Sequence, residues 1–214
     1  MDHATFRKQF PVCERVAYFN AGTCGPLPHA GVAAGAQAAA HALHTGRALE
    51  YYEQLIETRD RLRASYAGTI AAAADDVSIT TSTSDGMVRV LLALGLREGD
   101  EVLTATHEHP GLLGPLAALR RRTGIVVREV PLEEIAEHAT PETRLVACSH
   151  VAWTTGAEAP PLHALPAGVP VLLDGAQGAG AIPVDVESLG CAFYAASGQK
   201  WLCGPVGTGL LWVA

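Results

Sequence analysis

The sequence lacks most of the signals by which common classes of binding protein are identified. Its five cysteines show no CxxC pair and no metal-ligand spacing, so we expect reduced thiols and no metal site. No run of about 18 apolar residues is present to make a membrane span. A net charge of −7 argues against a nucleic-acid footprint, which requires a basic patch. Because no signal peptide is recognisable, a cytoplasmic location is expected.

Lysine is also scarce, and its placement is informative. The 15 basic residues include only two lysines, Lys8 and Lys200. Lys200 follows an apolar stretch and precedes Trp201 and Leu202, which do not suit a freely solvated turn, although a surface lysine is the alternative. In such apolar surroundings we expect a depressed pKa and a nucleophilic amine. Only lysine forms an imine with an aldehyde cofactor.

Short apolar, β-branched runs alternate with helical stretches along the chain. This alternation predicts an α/β fold: a three-layer α/β/α domain with a mostly parallel, seven-stranded sheet. The last strand follows a Gly/Pro turn so closely that we expect one antiparallel edge strand near the C-terminus. The predicted strands are residues 76–80, 101–105, 125–130, 144–149, 169–173, 191–195 and 207–213.

A long helical region, residues 31–66, precedes the first predicted strand. Its first half is Ala-rich, and its second half is charged and amphipathic. We therefore divide the chain into an N-terminal segment with this helical region, residues 1–65, and a large domain, residues 66–214. Further helices are predicted at residues 86–96, 111–122 and 133–138, with a short turn at residues 161–165.

Polar clusters follow several predicted strands, at the edge where open α/β sheets place their ligands. The first cluster, residues 80–86, reads Thr-Thr-Ser-Thr-Ser-Asp-Gly at the start of a predicted helix. Its hydroxyls, its backbone N–H groups and the positive end of the helix dipole together suit a phosphate. An ordinary Ser/Thr N-cap, with Asp85 in the first turn, is the alternative.

The second cluster, Thr106-His107-Glu108-His109-Pro110, places two histidines around a glutamate. Its spacing on a Pro-broken loop differs from the helical HExxH arrangement, so a zinc site is not expected. An imidazole at this position can stack on a flat heteroaromatic ring and move protons. A solvated loop histidine is the alternative.

The third cluster begins at Asp174, which an apolar strand delivers to its C-terminal end, followed by Gly175, Ala176 and Gln177. A carboxylate beside a bound pyridine keeps the ring nitrogen protonated, and the ring then accepts electrons from a substrate carbanion. A magnesium-binding aspartate and a plain helix cap are the alternatives. The sequence contains no GxxxxGK[ST] motif and no GxGxxG after a strand, which disfavours a nucleotide-binding domain.

The order of these motifs, ending in the Ser-Gly-Gln-Lys run at Lys200, resembles the fold-type I enzymes that use pyridoxal 5′-phosphate (PLP). Within them it resembles the class V aminotransferase group, which includes cysteine desulfurases, isopenicillin-N-epimerase-like proteins and kynureninases. The resemblance extends from Tyr18 to Val213. It implies that residues 66–214 form a PLP-binding large domain of the PLP-dependent transferase type.

The resemblance also implies a role for each matching residue. Lys200 would form a Schiff base with PLP and shuttle the substrate's α-proton, Asp174 would pair with the pyridinium nitrogen, and His109 would stack over the ring. Gln177 would approach the phenolic oxygen of the cofactor. The phosphate would be held by Thr83, Ser84, Ser197 and Gln199, and the substrate side of the pocket would be lined by Asn20, Ala21 and Gly22.

The chain departs from the family pattern at several points. Gln199 stands where many members have a histidine before the lysine. Trp153 stands where desulfurases commonly have an asparagine, which favours the epimerase-like branch. Family members continue into a C-terminal small domain that supplies an arginine for the substrate carboxylate and, in desulfurases, a nucleophilic cysteine. We expect this domain to be absent here.

The main hypothesis is therefore a PLP-dependent transferase or lyase that acts on an amino acid or a related amine as a homodimer. Transamination, C–S lysis or desulfuration, and epimerisation are all open. A hypothesis of a different class is a catalytically inactive, truncated PLP-fold protein that serves in binding or as a scaffold.

Overall fold

The fold follows from buried strands that alternate with helices along residues 2–214, the part of the chain that the computed structural model describes. The strands are β1 (Val77–Thr80), β2 (Glu101–Ala105), β3 (Val126–Val130), β4 (Thr143–Ser149), β5 (Val171–Asp174), β6 (Phe193–Ser197) and β7 (Gly209–Val213). The helices are α1 (His3–Arg7), α2 (Val12–Arg15), α3 (His29–Thr45), α4 (Leu49–Thr69), α5 (Thr83–Ala93), α6 (Pro110–Thr123), α7 (Ile135–His138) and α8 (Val186–Leu189).

The strands form one seven-stranded sheet in the order β1-β7-β6-β5-β4-β2-β3. Strands β2 to β6 pair in parallel, whereas β7 is antiparallel to both β1 and β6. The predicted α/β sheet with an antiparallel strand near the C-terminus is thus confirmed. The prediction that β7 lies at an edge is wrong, since β7 sits between β1 and β6. Residues 209–212 are buried on both faces, and a strand with two apolar faces belongs inside a sheet.

The predicted helical region over residues 31–66 consists of two helices, α3 and α4. The chain turns between them at Gly46, whose φ of 76° lies in the left-handed region that glycine adopts at little cost. Helix α4 then continues through the proposed boundary between residues 65 and 66. Its last turns bury Tyr66 and Ala67 in the core.

The remaining helices lie close to their predicted positions. Helix α5 begins at Thr83 because Ser82 caps it, accepting a hydrogen bond from the amide of Asp85 (3.1 Å). The predicted helix at residues 133–138 is a 3₁₀ turn followed by α7, and the predicted turn at 161–165 is a 3₁₀ turn. Helices α1, α2 and α8 are short and were not predicted.

Alternate residues of the central strands cover opposite faces of the sheet. Leu103, Val146 and Leu173 belong to one apolar cluster, and their chain neighbours Val102, Leu145 and Leu172 belong to the other. Helices α5 and α6 pack on the second cluster, while the end of α4 and α7 pack on the first. This double coverage produces the three layers. Within residues 2–214, no helix combines the length and apolar character needed to cross a lipid bilayer.

The carboxyl ends of the parallel strands bring polar residues to one edge of the sheet. Ser149 at the end of β4 pairs in register with Asp174 at the end of β5, and Ser197 ends β6 next to them. Strand β7 begins at Gly209, in register with both Ser197 and Thr80. The end of β1 and the start of α5 therefore reach the same edge, where ligands of such sheets bind.

Truncating a central strand residue tests this core. Leu172 on β5 is fully buried (0% exposed), so we expect Leu172→Ala to lower the free energy of unfolding by about 2–5 kcal/mol. The matched control is Leu92→Ala on α5, where the side chain is 60% exposed and the change should be within about 0.5 kcal/mol. Denaturant unfolding measures both variants. Equal losses would contradict the packing described above.

Candidate active site

A cavity of about 310 Å³ opens at this edge of the sheet. It brings together all eight residues that the sequence predicted for cofactor binding: Thr83, Ser84, His109, Asp174, Gln177, Ser197, Gln199 and Lys200. A second cavity of about 370 Å³ adjoins it and shares Gly22, Thr23, Trp153 and Gln177 with it. Of the predicted substrate-side residues, Asn20 and Gly22 line this second cavity, whereas Ala21 is not among its lining residues.

Hydroxyl groups and the start of α5 form one end of the first cavity. The Ser197 hydroxyl accepts a hydrogen bond from the amide of Thr83 (3.0 Å) and shares another with the Thr83 hydroxyl (2.7 Å). These contacts hold the first turn of α5 against the end of β6. Backbone N–H groups at a helix N-terminus, surrounded by hydroxyls, are suited to bind a phosphate group.

Asp85 in the first turn of α5 serves the loop before the helix. Its carboxylate accepts hydrogen bonds from the amide of Thr81 (2.9 Å) and from the guanidinium of Arg89 (2.9 Å), which lowers the pKa of Asp85. The N-cap interpretation of this cluster is therefore correct for Ser82 and Asp85. It leaves Thr83 and Ser84, which line the cavity, as candidates for an anion.

Asp174 lies at the base of the cavity and is 6% exposed. Its Oδ1 accepts a hydrogen bond from the amide of Ala176 (2.9 Å). Burial raises the pKa of this carboxyl, while the hydrogen bond from the amide of Ala176 and the positive charge of Lys200 oppose the rise. A desolvated carboxylate without a full countercharge attracts a cationic group, such as a protonated ring nitrogen.

Lys200 lines the cavity and is partly buried, whereas Lys8 is exposed and is not among the lining residues. Desolvation lowers the pKa of the Lys200 ammonium, and the negative charge of Asp174 partly opposes this effect. A larger fraction of the amine is therefore neutral and nucleophilic than in a solvated lysine. The neighbouring Gln199 Oε1 is buried and has no hydrogen-bond partner within residues 2–214, so the cavity holds an unsatisfied polar atom.

The N-terminal segment at residues 16–28 crosses the cavity and contacts the lysine turn. The amide of Gly25 donates to the carbonyl oxygen of Gln199 (2.7 Å). A Cβ atom at Gly25 would lie 2.1 Å from the carbonyl oxygen of Lys200, so only glycine permits this approach. The N-terminal segment is thereby fixed against the residue that carries the candidate nucleophile.

Gln177 links the same segment to the lysine turn through its side-chain amide. Its Nε2 donates to the carbonyl oxygen of Gly22 (2.9 Å), and its Oε1 accepts from the indole Nε1 of Trp201 (2.7 Å). Because Nε2 carries two hydrogens, one donor is left for a ligand in the cavity. The sequence predicted a ligand contact for Gln177 and missed this bridge, which joins residues far apart in the chain.

His109 forms the cavity wall at the start of α6. As N-cap, its Nδ1 accepts a hydrogen bond from the amide of Gly111 (3.0 Å), which places the proton of the neutral ring on Nε2. The edge of the ring meets Trp153, with centroids 5.4 Å apart and planes at 83°. Trp153 in turn donates from Nε1 to the carbonyl oxygen of His107 (2.9 Å). The indole therefore holds the loop that presents His109.

Glu108, between these two histidines, is a site residue for which the sequence predicted no role. Its carboxylate is 4% exposed and accepts hydrogen bonds from the amide (2.7 Å) and the hydroxyl (2.6 Å) of Ser149. Burial raises the pKa of Glu108 to about 7; the hydrogen bonds from Ser149 oppose the rise, and the negative charge of Asp174 adds to it. In the sequence, the one feature that singles out Glu108 is its position between His107 and His109.

The comparisons with known proteins agree on a single family. The family model "Aminotransferase class-V" matches residues 18–214. The isopenicillin N epimerase of Amycolatopsis lactamdurans is 32% identical over 97% of this chain and 56% of its own length. The cysteine desulfurase of Klebsiella pneumoniae (strain 342) is 32% identical over 96% of this chain and 56% of its own length. The chain thus spans a little over half the length of these curated relatives.

Solved structures give the same result. A C-DES mutant with glycine covalently linked to the PLP cofactor superposes with a TM-score of 0.89 at 33% identity, over 97% of this chain and 59% of that chain. The cystine C-S lyase C-DES in complex with its reaction product, cysteine persulfide, gives the same TM-score and identity over 96% of this chain.

Among residues 2–214, no group of three or more His, Cys, Asp or Glu side chains is placed to hold a metal ion.

The close approach at Gly25 leads to a prediction about the lysine turn. Gly25→Ala places a methyl group against the carbonyl oxygen of Lys200, so we expect the N-terminal segment to detach and the free energy of unfolding to fall by about 1–3 kcal/mol. Hydrogen exchange of the Gly25 region and denaturant unfolding measure both effects. Gly35→Ala on α3 is the matched control, because a Cβ there meets no atom within 4 Å. Equal behaviour of the two variants would contradict this contact.

The raised pKa of Glu108 predicts how stability changes with pH. As pH rises from about 4.5, the value in the unfolded chain, to about 7, the unfolded chain releases the Glu108 proton while the folded chain keeps it. This group's contribution to the free energy of unfolding is therefore largest at low pH and is lost as pH rises to about 7. We expect Glu108→Gln to gain stability relative to wild type across this window, by on the order of 2–3 kcal/mol.

Glu101→Gln is the control for this pH dependence. The hydrogen bonds from Arg128 lower the pKa of Glu101, so its contribution is present above pH 4.5 and is lost as pH falls below that value. The difference between Glu101→Gln and wild type should therefore stay constant from pH 4.5 to pH 7. Denaturant unfolding at a series of pH values measures all three proteins, and parallel curves for Glu108→Gln and wild type would contradict the raised pKa.

Proposed function

The chain belongs to the class V aminotransferase family, and from this premise we propose that it is a PLP-dependent enzyme that acts at the α-carbon of an amino acid through Lys200. The observation that carries the proposal is the convergence of Lys200, Asp174 and the hydroxyls of Thr83 and Ser197 in one cavity. Each of these groups suits a different part of PLP. The cofactor itself follows from the family and from the PLP-containing neighbour.

The residues of the cavity fit PLP on their own chemistry. The start of α5 offers the hydroxyls of Thr83 and Ser84 and the positive end of the helix dipole for the phosphate, and the buried carboxyl of Asp174 suits a protonated ring nitrogen. The partly neutral amine of Lys200 suits an aldehyde carbon. A volume of about 310 Å³ is typical of a cofactor pocket. When bound, PLP supplies an electron sink for the charge that develops at the substrate's α-carbon.

The side chains have distinct tasks in this proposal. Lys200 would hold the cofactor through its side-chain amine and would accept the substrate's α-proton on that amine when it is neutral. Asp174 would keep the ring nitrogen protonated, and His109 would stack on the ring, while the edge contact with Trp153 fixes the orientation of the imidazole. Gln177 donates its second amide hydrogen to the phenolic oxygen. Ser84 and Gln199 complete the contacts of the phosphate end.

We propose that the substrate binds in the second cavity. This cavity lies between the N-terminal segment, at Asn20 and Gly22, and the indole of Trp153. Its lining contains no charged side chain and includes Phe19, Trp153 and Trp201. Such a lining favours an uncharged, bulky side chain over a carboxylate or an ammonium group.

Two reaction types are favoured within this proposal. Epimerisation and C–S bond cleavage both begin with loss of the α-proton, and relatives named for each match the chain at similar identity. C–S cleavage of a disulfide-containing amino acid is the second candidate, because an uncharged, roomy cavity adjoins the lysine and the C-DES lyase has the same fold.

We also propose a cytoplasmic homodimer. The unpaired state of the five cysteines supports the location, and the family supports the homodimer.

The two lysines of the chain provide the test. Wild-type protein incubated with PLP should show the visible absorbance of a Schiff base, and Lys200→Ala should lose it, because among residues 2–214 Lys200 is the one amine that lines the cavity. Lys8→Ala is the matched control and should keep the absorbance, since Lys8 is exposed and outside the cavity.

Three outcomes of this experiment are distinguishable. Absorbance in wild type and Lys8→Ala but not in Lys200→Ala supports the proposal. Absorbance in all three proteins would overturn the assignment of Lys200. PLP uptake without turnover of any amino acid would favour an inactive binding or scaffold protein over an enzyme.

A further inference from the structure

Glu108 is a buried carboxyl to which the proposed function gives no task. Only 4% of it is exposed, and it lies one residue before His109. Both of its oxygens accept hydrogen bonds from one residue, Ser149, at 2.7 Å from the amide and 2.6 Å from the hydroxyl. A carboxyl this deeply buried is costly unless it is paired or neutral, so its retention at the site calls for a physical role.

Ser149 places this carboxyl beside Asp174. The two residues end adjacent parallel strands, β4 and β5, and pair in register. The backbone carbonyl of Asp174 also accepts a hydrogen bond from the amide of His150 (2.9 Å), which joins the two strand ends at the next residue. Glu108 therefore approaches Asp174 across the width of a single serine.

Two buried carboxyls on neighbouring strand ends repel each other when both are ionised. The groups around them decide which one keeps the proton. The positive charge of Lys200 favours the ionised form of Asp174. Glu108 faces Asp174 from β5 and the thiol of Cys148 from β4, and burial raises the pKa of that thiol so that it stays neutral. The surroundings thus favour the proton on Glu108 and the negative charge on Asp174.

We propose that Glu108, in a Glu108–Ser149–Asp174 unit, is a positioning residue that keeps its own proton, so that Asp174 alone carries the negative charge of the unit for the ring nitrogen of the cofactor. The inference rests on the proposed function in that it takes Asp174 as the partner of the ring. The same two hydrogen bonds tie the loop between β2 and α6 to the end of β4. They therefore also fix the place of His109 over the cavity.

The loop geometry supports this second task. His107 adopts a φ of 67°, a left-handed conformation that is unfavourable for a residue with a side chain. Two contacts stabilise it: Trp153 donates to its carbonyl oxygen, and Glu108 anchors the next residue to Ser149. His107 is thus held in its unfavourable conformation by these two contacts. Loss of the hydrogen bonds between Glu108 and Ser149 should therefore let the loop relax to a different conformation.

Titration of the side-chain carboxyl carbons by NMR tests the coupling without the cofactor. In Asp174→Asn we expect the midpoint of Glu108 to fall by about one pH unit, because Asp174 is ionised where Glu108 titrates and its repulsion is then gone. In Glu108→Gln the midpoint of Asp174 should stay close to that of wild type, because Glu108 is already neutral where Asp174 titrates. Glu101→Gln, which removes a carboxyl at the other end of β2, should move neither midpoint.

Ser149→Ala provides a second variant that keeps both carboxyls. It removes the hydroxyl donor to Glu108 and retains the amide donor, so the midpoint of Glu108 should rise. This variant decides the question if Glu108→Gln does not fold. Unmoved midpoints in Asp174→Asn and Ser149→Ala would overturn the inference.

A parallel titration of the PLP-loaded protein separates this inference from the proposed function. In Glu108→Gln the pH midpoint of the Schiff-base absorbance should be lower than in wild type, because the charge that Glu108 gains at high pH no longer stabilises the protonated imine. Failure of wild type to take up PLP would overturn the proposed function, while a fall of the Glu108 midpoint in Asp174→Asn would still support the coupled unit. PLP uptake without that fall would overturn the coupled unit alone.

Discussion

The burial of Asp174 at the end of a central strand is the constraint on which the site depends. Strand β5 is covered on both faces, so it delivers a carboxyl into a desolvated position where its charge is unfavourable by itself. The neighbouring groups reduce this cost, because Lys200 brings positive charge and Glu108 keeps its proton. This arrangement suits a cationic ring nitrogen. The electrostatics of the site therefore agree with the cofactor indicated by the family and by the PLP-containing neighbour.

Local close approaches complete the site around that charge. Gly25 lets the N-terminal segment lie against the lysine turn, and the amide of Gln177 bridges Gly22 and Trp201. The wall of the cavity is therefore built from chain segments more than 150 residues apart, since Gln177 and Gly22 are separated by 155 positions. The pocket therefore depends on contacts between distant parts of the chain. Because Gly22 and Thr23 line both cavities, movement of the N-terminal segment would change the shape of both.

Much of this arrangement could be predicted from the sequence, because parallel strands place their carboxyl ends at one edge. The motifs at Thr83, His109, Asp174 and Lys200 each follow a strand, and this alone brought them to one cavity. The interior position of β7 was missed because a short Gly/Pro connection indicates that β7 runs antiparallel to β6 but not which other strand lies beside it. The Glu108–Ser149 pair was missed because it depends on the pairing of β2 with β4, which no local pattern encodes. The bridge through Gln177 was missed for the same reason.

The most direct test of the account is to locate the covalent bond to the cofactor. Wild-type protein loaded with PLP, reduced with borohydride and digested should carry the phosphopyridoxyl group on the peptide that contains Lys200, as read by tandem mass spectrometry. Modification of Lys8, or of no lysine at all after loading at saturating PLP, would contradict the claim that the chain's buried charges are arranged around a cofactor bound at Lys200.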